Sequence, residues 1–391
     1  MNSIPEFVSK KFKCWSFLTI LTVVMAHSYN LNIRYLQPWT TPNEPLTITS
    51  FSELFIANGL VRFTMPLLFI ISGYLYAFKD DQPNNIRIKK RFKSLLIPYF
   101  IWSAAGLALV YSLELFPYTK SMVKATNIAW MNEHQVFLHQ YHWYEVIARW
   151  IFAPVSYQLW FIWVLFFYNL GYKFILRCVM HPKGKWIFFS VATFLWLSTF
   201  GAVILEGEGL LFFSLGVWIQ KNKFNIEAPS KWLNPIWWGL TSLSLITIKT
   251  WFAFKGMPLL GNGIYPILAL LLKLSVFSGL IAAWYGSNAL VTFLMNQKWF
   301  TAASNYAFFI YLAHAPLVAI GIDSIFSLLH YTTGYRFISF LLWPFMLIIG
   351  FIIIGFIIHK ISSRFFSFIT GGGCINYFPL FYVIDINLFY D

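Results

Sequence analysis

Ten apolar runs recur along this chain, most of them long enough to cross the ~30 Å hydrocarbon core of a bilayer as helices. They are Cys14–Leu31, Leu54–Phe78, Ser94–Phe116, Tyr157–Met180, Trp186–Leu205, the shorter Gly209–Gln220, Trp232–Phe254, Ile264–Tyr285, Ala303–Leu328 and Phe337–His359. The rest of the sequence cannot supply a water-facing coat. Only 11% of the 391 residues are charged and 59% are hydrophobic, against about 25% charged in an ordinary soluble domain. Lipid is therefore the expected solvent. The predicted fold is all-α, a polytopic membrane bundle of about ten transmembrane helices. No internal repeat is evident, so residues 1–370 read as one membrane domain. The tail 371–391 begins GGGC and is too interrupted to span; it reads as interfacial or disordered.

A formal net charge of +14 invites a nucleic-acid reading, but the positions of the cations argue against one. Lys10, Lys11 and Lys13 precede the first run. Lys79, Arg87, Lys89, Lys90, Arg91 and Lys93 fill the second connection, and Lys173, Arg177, Lys183 and Lys185 another. Lys221, Lys223 and Lys231, and then Lys360 and Arg364, complete the series. Every second connection is basic, so the positive-inside rule puts both termini and Lys79–Lys93 in the cytoplasm, and Phe116–Ser156 outside. No small-residue cleavage site follows the first run, which reads as a retained signal-anchor helix. Cys14, Cys178 and Cys374 are too dispersed for a disulfide framework or zinc knuckle.

Ionisable residues inside apolar runs mark candidate sites, because each costs at least ~2.5–3.5 kcal/mol near the bilayer centre. His27 lies fourteen residues past Lys13, roughly 21 Å along a helix, and Arg62 seventeen residues before Lys79, roughly 25 Å. The two are expected to share a layer in the outer half of the membrane. Each also has a bland reading: an interfacial ring bonded to a neighbouring helix for His27, a snorkelling anchor for Arg62. Glu206 and Glu208 lie only about 20 Å of helix from Lys221. Their turn either dips toward His27, where a carboxylate would orient the imidazole, or is a solvated outer turn. His314, two residues before Pro316, reads as functional or as a hydrogen-bonded histidine beside a helix break.

The cations of Lys79–Lys93 suffice as lipid anchors. The sharper reading makes Lys89, Lys90 and Arg91 a dock for a phosphorylated donor. In the outer loop, His134, His139, His142 and Glu145 hold no HExxH-type pattern. That loop reads as an aromatic lid or sugar-stacking surface, and no metal is assigned. GxSxG, Walker A and GxGxxG patterns are absent from the sequence, which leaves serine hydrolases, P-loop pumps and Rossmann enzymes without support.

Four stretches together resemble acyltransferase family 3, integral-membrane and mostly bacterial enzymes that O-acylate cell-surface glycans. They are FLTILTVVMAHS ending in His27, RFTMPLLFIISGYL with Arg62, KKRFKSLLIPYFIW, and YQLWFIWVLFFYNL with NYAFFIYLAHAPL. The resemblance runs from about Cys14 to Lys360, and the order and spacing of the motifs carry it. It implies a bacterial plasma-membrane enzyme. The donor would be acyl-coenzyme A, most simply acetyl-coenzyme A, used as a substrate rather than as a bound cofactor. The acceptor would be a cell-surface or lipid-linked glycan. His27 would be the general base, and Arg62 would hold the donor or stabilise the oxyanion. One departure stands out: many members carry an arginine where this chain has Ser16, so Lys11, Lys13 or Lys79–Lys93 would take over donor binding. The competing function is a transporter or flippase for a lipid-linked glycan or other polar solute. Inverted repeats and paired broken helices, which would favour it, are not evident in the sequence.

Overall fold

The computed structural model describes residues 4–31, 35–126, 136–329 and 334–372. Most of the 371–391 tail, and His134, lie outside the described residues. Within them the backbone is helical with no β-strand, only an isolated bridge between Gly201 and Glu206.

The chain begins with α1 (Glu6–Ala26). The pair α2 (Ile48–Phe55) and α3 (Thr64–Phe78) follows, joined through a π-turn at Ile56–Leu60. Next come α4 (Asn84–Arg91) and α5 (Ile97–Glu114), continuous through a second π-turn, then α6 (Pro117–Thr126) and α7 (Trp143–Ile151). The middle third holds α8 (Trp160–Leu170), α9 (Tyr172–Met180), α10 (Gly184–Leu197) and α11 (Gly207–Lys221). Then follow α12 (Pro235–Lys255), α13 (Met257–Leu260), α14 (Ile264–Gly286), α15 (Asn288–Met295), α16 (Lys298–Ser304) and α17 (Ala307–Ala313). The last are α18 (Leu317–Leu329), α19 (Tyr335–Ile361) and α20 (Ser363–Ile369).

Local chemistry sets several of these boundaries. Thr47 and Ser50 form a reciprocal capping box at the start of α2. The Glu206 carboxylate accepts from the amides of Glu208 (2.9 Å) and Gly209 (2.6 Å), which starts α11. Asn234 caps α12 and Pro235 occupies its first turn.

Four helical lengths are long and apolar enough to cross a membrane: Ile48–Phe78, Asn84–Glu114, Met257–Gly286 and Tyr335–Ile361. A fifth counts if Tyr157–Leu170 and Tyr172–Met180, bent by 67° at Gly171, form one span. The other apolar runs of the sequence are helical as well, but they are shorter, broken or carry more polar groups. Large apolar side chains such as Trp186, Phe194, Ile236, Trp237, Ile349 and Ile353 face outward, the pattern of a surface solvated by lipid.

The tightest seam joins α3 to α11. A Cβ added to Gly73 would sit 2.0 Å from the Phe213 carbonyl oxygen, and one on Gly216 would sit 2.1 Å from that of Ile70. Two glycines thus let the backbones touch, the small-residue packing that replaces hydrophobic driving force within lipid. The glycine of the SGY motif is a packing residue. At the end of this seam the Asp80 carboxylate meets Lys221 Nζ at 2.7 Å and the Tyr172 hydroxyl at 3.0 Å. Burial alone would raise the Asp80 pKa; Lys221 and Tyr172 outweigh it and hold the group below its ordinary range.

The basic stretch Lys79–Lys93, expected as a loop, is mostly helix. Pro83 starts α4 and no helix breaker follows it. Its cations therefore point in different directions. Arg87 lies 3.9 Å over the Tyr76 ring and 4.6 Å over that of Tyr172. Arg91 is also buried, 5.4 Å over Tyr76. Lys89 and Lys90 are exposed.

Candidate active site

His27 stands at the C-cap of α1, at the end opposite Lys10 and Lys11. Its ring is half-buried. The edge of Tyr157 packs against it at 4.8 Å between centroids, and His314 stacks on it at 5.7 Å with the planes 19° apart. No hydrogen bond engages either His27 nitrogen among the described residues. The ring is held by shape and its nitrogens are available.

His314 reaches this position through a break between α17 and α18 at a cis Ala315–Pro316 bond. A break inside an apolar bundle strands carbonyl groups that must be bonded again. Gln158 does this, donating Nε2–H to Leu312 O at 2.9 Å and to Ala315 O at 3.4 Å. His314 Nδ1 lies 2.9 Å from Tyr311 O and 3.2 Å from Ile310 O. Two carbonyl neighbours assign the proton to Nδ1. Nε2 is then a buried acceptor, and it has no partner among the described residues.

Arg62 arises from a second break. The run expected as one helix over Leu54–Phe78 departs from helical geometry at Asn58 (φ −113°, ψ 20°) and turns at Val61–Phe63. Lys249 Nζ, fully buried, takes the freed Asn58 carbonyl at 2.7 Å. The Asn58 amide in turn donates to Gln37 O at 2.9 Å. Arg62 is half-buried and its guanidinium makes one long hydrogen bond, 3.4 Å to Leu36 O. No carboxylate lies within ion-pair distance of it among the described residues. It stands within electrostatic reach of His27, Lys249, Lys273 and Glu208.

The structure thus brings His27, His314 and Arg62 together and puts the other candidates elsewhere. Glu206 is occupied in capping α11. Glu208 accepts from Trp196 Nε1 at 3.3 Å and lies 3.9 Å from Lys273 Nζ. Among the described residues, no hydrogen bond or ion pair joins either glutamate to His27; Glu208 reaches that layer through the field of Arg62. Of the candidate dock, Lys90 and Arg91 line one recess together with Lys79 and Arg87, Lys90 also lines a recess of about 530 Å³ with Lys93 and Arg364, and Lys89 lines neither. In the outer loop His139 Nδ1 is 3.1 Å from Glu114 and the His142 amide donates to Glu145 at 2.8 Å. These contacts order the loop, and no group of three potential metal ligands occurs among the described residues.

A family profile described as an acyltransferase domain matches residues 16–360. The chain belongs to acyltransferase family 3. It is therefore an acyltransferase, and with its apolar helices a membrane protein. It is similar to the succinoglycan biosynthesis protein ExoH of Rhizobium meliloti (strain 1021), 22% identical over 320 residues that cover 80% of this chain and 79% of the relative. No solved structure matches it.

For this acyltransferase, Lys249, Lys273, Tyr157 and Gln158 are what reading the sequence missed. The two lysines carried a signal, each a lone charge inside an apolar run, LITIKTWF and LLLKLSVF. The Ser16 hydroxyl, where many members carry arginine, is buried and has no partner among the described residues. Lys11 and Lys13, the candidate substitutes, bond Asn288 Oδ1 at 2.6 Å and Asn305 Oδ1 at 3.2 Å.

Proposed function

We propose that this acyltransferase moves an acetyl group from acetyl-coenzyme A to a hydroxyl of a cell-surface or lipid-linked glycan, at a bacterial plasma membrane crossed by about ten helices. The cytoplasmic face is the one that carries both termini and the α4 cations. The observation that carries this reading is the grouping of the His27 imidazole, which makes no hydrogen bond among the described residues, with His314 stacked on it at 5.7 Å and the Arg62 guanidinium within electrostatic reach. The similarity to a succinoglycan biosynthesis protein supports a glycan acceptor.

His27 is the general base. It takes the proton of the acceptor hydroxyl as that oxygen attacks the thioester carbonyl. Arg62 faces the oxyanion that develops on the carbonyl oxygen, where a fixed cation in a site of low dielectric counts most. The intermediate collapses with cleavage of the C–S bond. The coenzyme A thiolate leaves and takes the proton back from the His27 imidazolium, so the ring returns neutral. The recess lined by Lys90, Lys93 and Arg364, with Ser94 and Ser367, suits the phosphates of the donor. Arg91 supports that end from inside, stacked on Tyr76, and Lys89 adds charge at the surface.

The test uses the full chain in nanodiscs, with acetyl-coenzyme A affinity and acetyl transfer measured side by side. His27→Ala is expected to bind the donor like the parent and to lose transfer by ~10²–10⁴-fold, the range for a lost general base. Transfer at the parent rate removes His27 from the mechanism. A parent protein that neither binds nor hydrolyses acetyl-coenzyme A removes the donor assignment.

A further inference from the structure

A second recess, of about 580 Å³, opens beside the catalytic one. Tyr35, Gln37, Trp39, Thr40, Thr41 and Tyr265 line it. Trp39 and Tyr35 are 37% and 39% exposed, so aromatic surface faces the opening. The side-chain amide of Gln37 is exposed and makes no hydrogen bond among the described residues. Among the described residues, no charged side chain lines the recess. Flat aromatic faces next to an exposed amide are the chemistry that recognises a sugar ring, whose C–H face is apolar and whose edge is polar.

The recess is joined to the reacting groups. The Tyr35 ring meets Tyr157 edge-on at 5.7 Å, and Tyr157 meets His27 edge-on at 4.8 Å. The 35–41 turn is also fixed before any ligand arrives. Gln37 N–H donates to Thr40 Oγ1 at 2.7 Å, and Thr40 N–H returns to Gln37 O at 3.0 Å. Asn58 and Arg62 hold the Gln37 and Leu36 carbonyls from the break that precedes α3. A turn bonded on this many sides needs little ordering on binding.

We propose that this recess is the acceptor subsite, and that it takes an uncharged pyranose ring stacked on Trp39 and Tyr35, one residue removed from the hydroxyl that reaches His27. With no cation among the described lining residues, a uronate or a phosphorylated sugar gains nothing from them. The proposal rests on the acyl-transfer reading for its purpose, but sugar binding can be measured without any turnover.

The experiment is saturation-transfer NMR on the full chain in nanodiscs, with cellotetraose as the neutral probe and tetragalacturonate as the charged one. Acetyl-coenzyme A affinity is read on the same samples. Cellotetraose is expected to receive saturation and tetragalacturonate far less. Trp39→Ala should weaken cellotetraose binding about tenfold, in line with loss of one aromatic stacking contact. Trp39→Phe should recover most of it, and donor affinity should stay at the parent value in both. The proposal is overturned if neither sugar receives saturation, if the charged sugar is preferred, if Trp39→Ala binds cellotetraose like the parent, or if sugar and donor binding fall together. Loss of donor binding in the parent, with sugar contacts intact, would instead strike the acyl-transfer reading alone.

Discussion

Two helix breaks meet at the catalytic recess, and they are repaired differently. At Asn58–Phe63 the stranded carbonyl is taken by a lysine amine, Lys249 Nζ. At His314–Pro316 the carbonyls are taken by a neutral amide, Gln158 Nε2. The first break leaves Arg62 with no ion-pair partner among the described residues, and the second leaves an acceptor, His314 Nε2, with no donor among them. One side of the site is thus built to receive negative charge and the other to receive a proton or a hydroxyl. An unpaired charge and an unpaired acceptor are both costly in a buried setting. Their occurrence together is what the proposed site rests on.

The sharpest way to break this contrast is at Arg62. Arg62→Gln is expected to lower kcat by ~10²–10³-fold, the range for losing one oxyanion-stabilising donor. His27→Ala should leave the same recess with its cation intact and its base absent. If Arg62→Gln changes only the KM of the donor, Arg62 binds the ground state and the oxyanion role fails.

Next in size is the pair of repairing side chains. Lys249→Met and Gln158→Leu keep volume and remove the donor, so each leaves buried carbonyls unsatisfied at ~1–3 kcal/mol. Both should lower thermal stability in detergent. Lys249→Met should in addition loosen the 35–41 turn, because Asn58 connects Lys249 to Gln37. A Lys249→Met protein with parental melting temperature would show that the Asn58 carbonyl does not depend on it.

The smallest effect is expected at the basic end. Lys90, Lys93 and Arg364, each replaced by glutamine in one protein, should weaken acetyl-coenzyme A binding several-fold, with little change in melting temperature. Lys90 and Lys93 are exposed, so their contribution is screened. The difference from the parent should shrink at high salt. A difference that persists unchanged at high salt would mean that the lost interactions are not exposed ion pairs.

Much of this contrast was legible in the sequence, and the illegible part has a physical reason. A titratable residue in an apolar run stands out, and a rise of 1.5 Å per residue was enough to put His27 and Arg62 at similar heights. The apolar runs likewise mark where the helices lie. The same reasoning marked the break at Pro316 but not the one before Arg62. Asn58–Arg62 reads NGLVR, whose Asn-Gly pair is a turn signal, and the side chain that repairs the break, Lys249, lies almost two hundred residues away. The fate of Glu206 was hidden for a related cause: a carboxylate beside two glycines suits a catalytic turn or a helix cap equally, and only the partners decide. Helical structure in Lys79–Lys93 was obscured by its charge, which says which solvent a segment prefers but not whether its backbone is regular.

The Gln158 repair has a consequence for biogenesis. His27 leaves the ribosome early, and α17 and α18 leave late. Until Gln158 meets Leu312 and Ala315, those two short helices carry bare carbonyls that lipid cannot satisfy. They have reason to settle only against a bundle that already contains residue 158, and in settling they bring His314 onto the His27 ring. A chain cut short before this point holds its imidazole in an unfinished pocket. Completion of the site thus waits on the last third of the polypeptide.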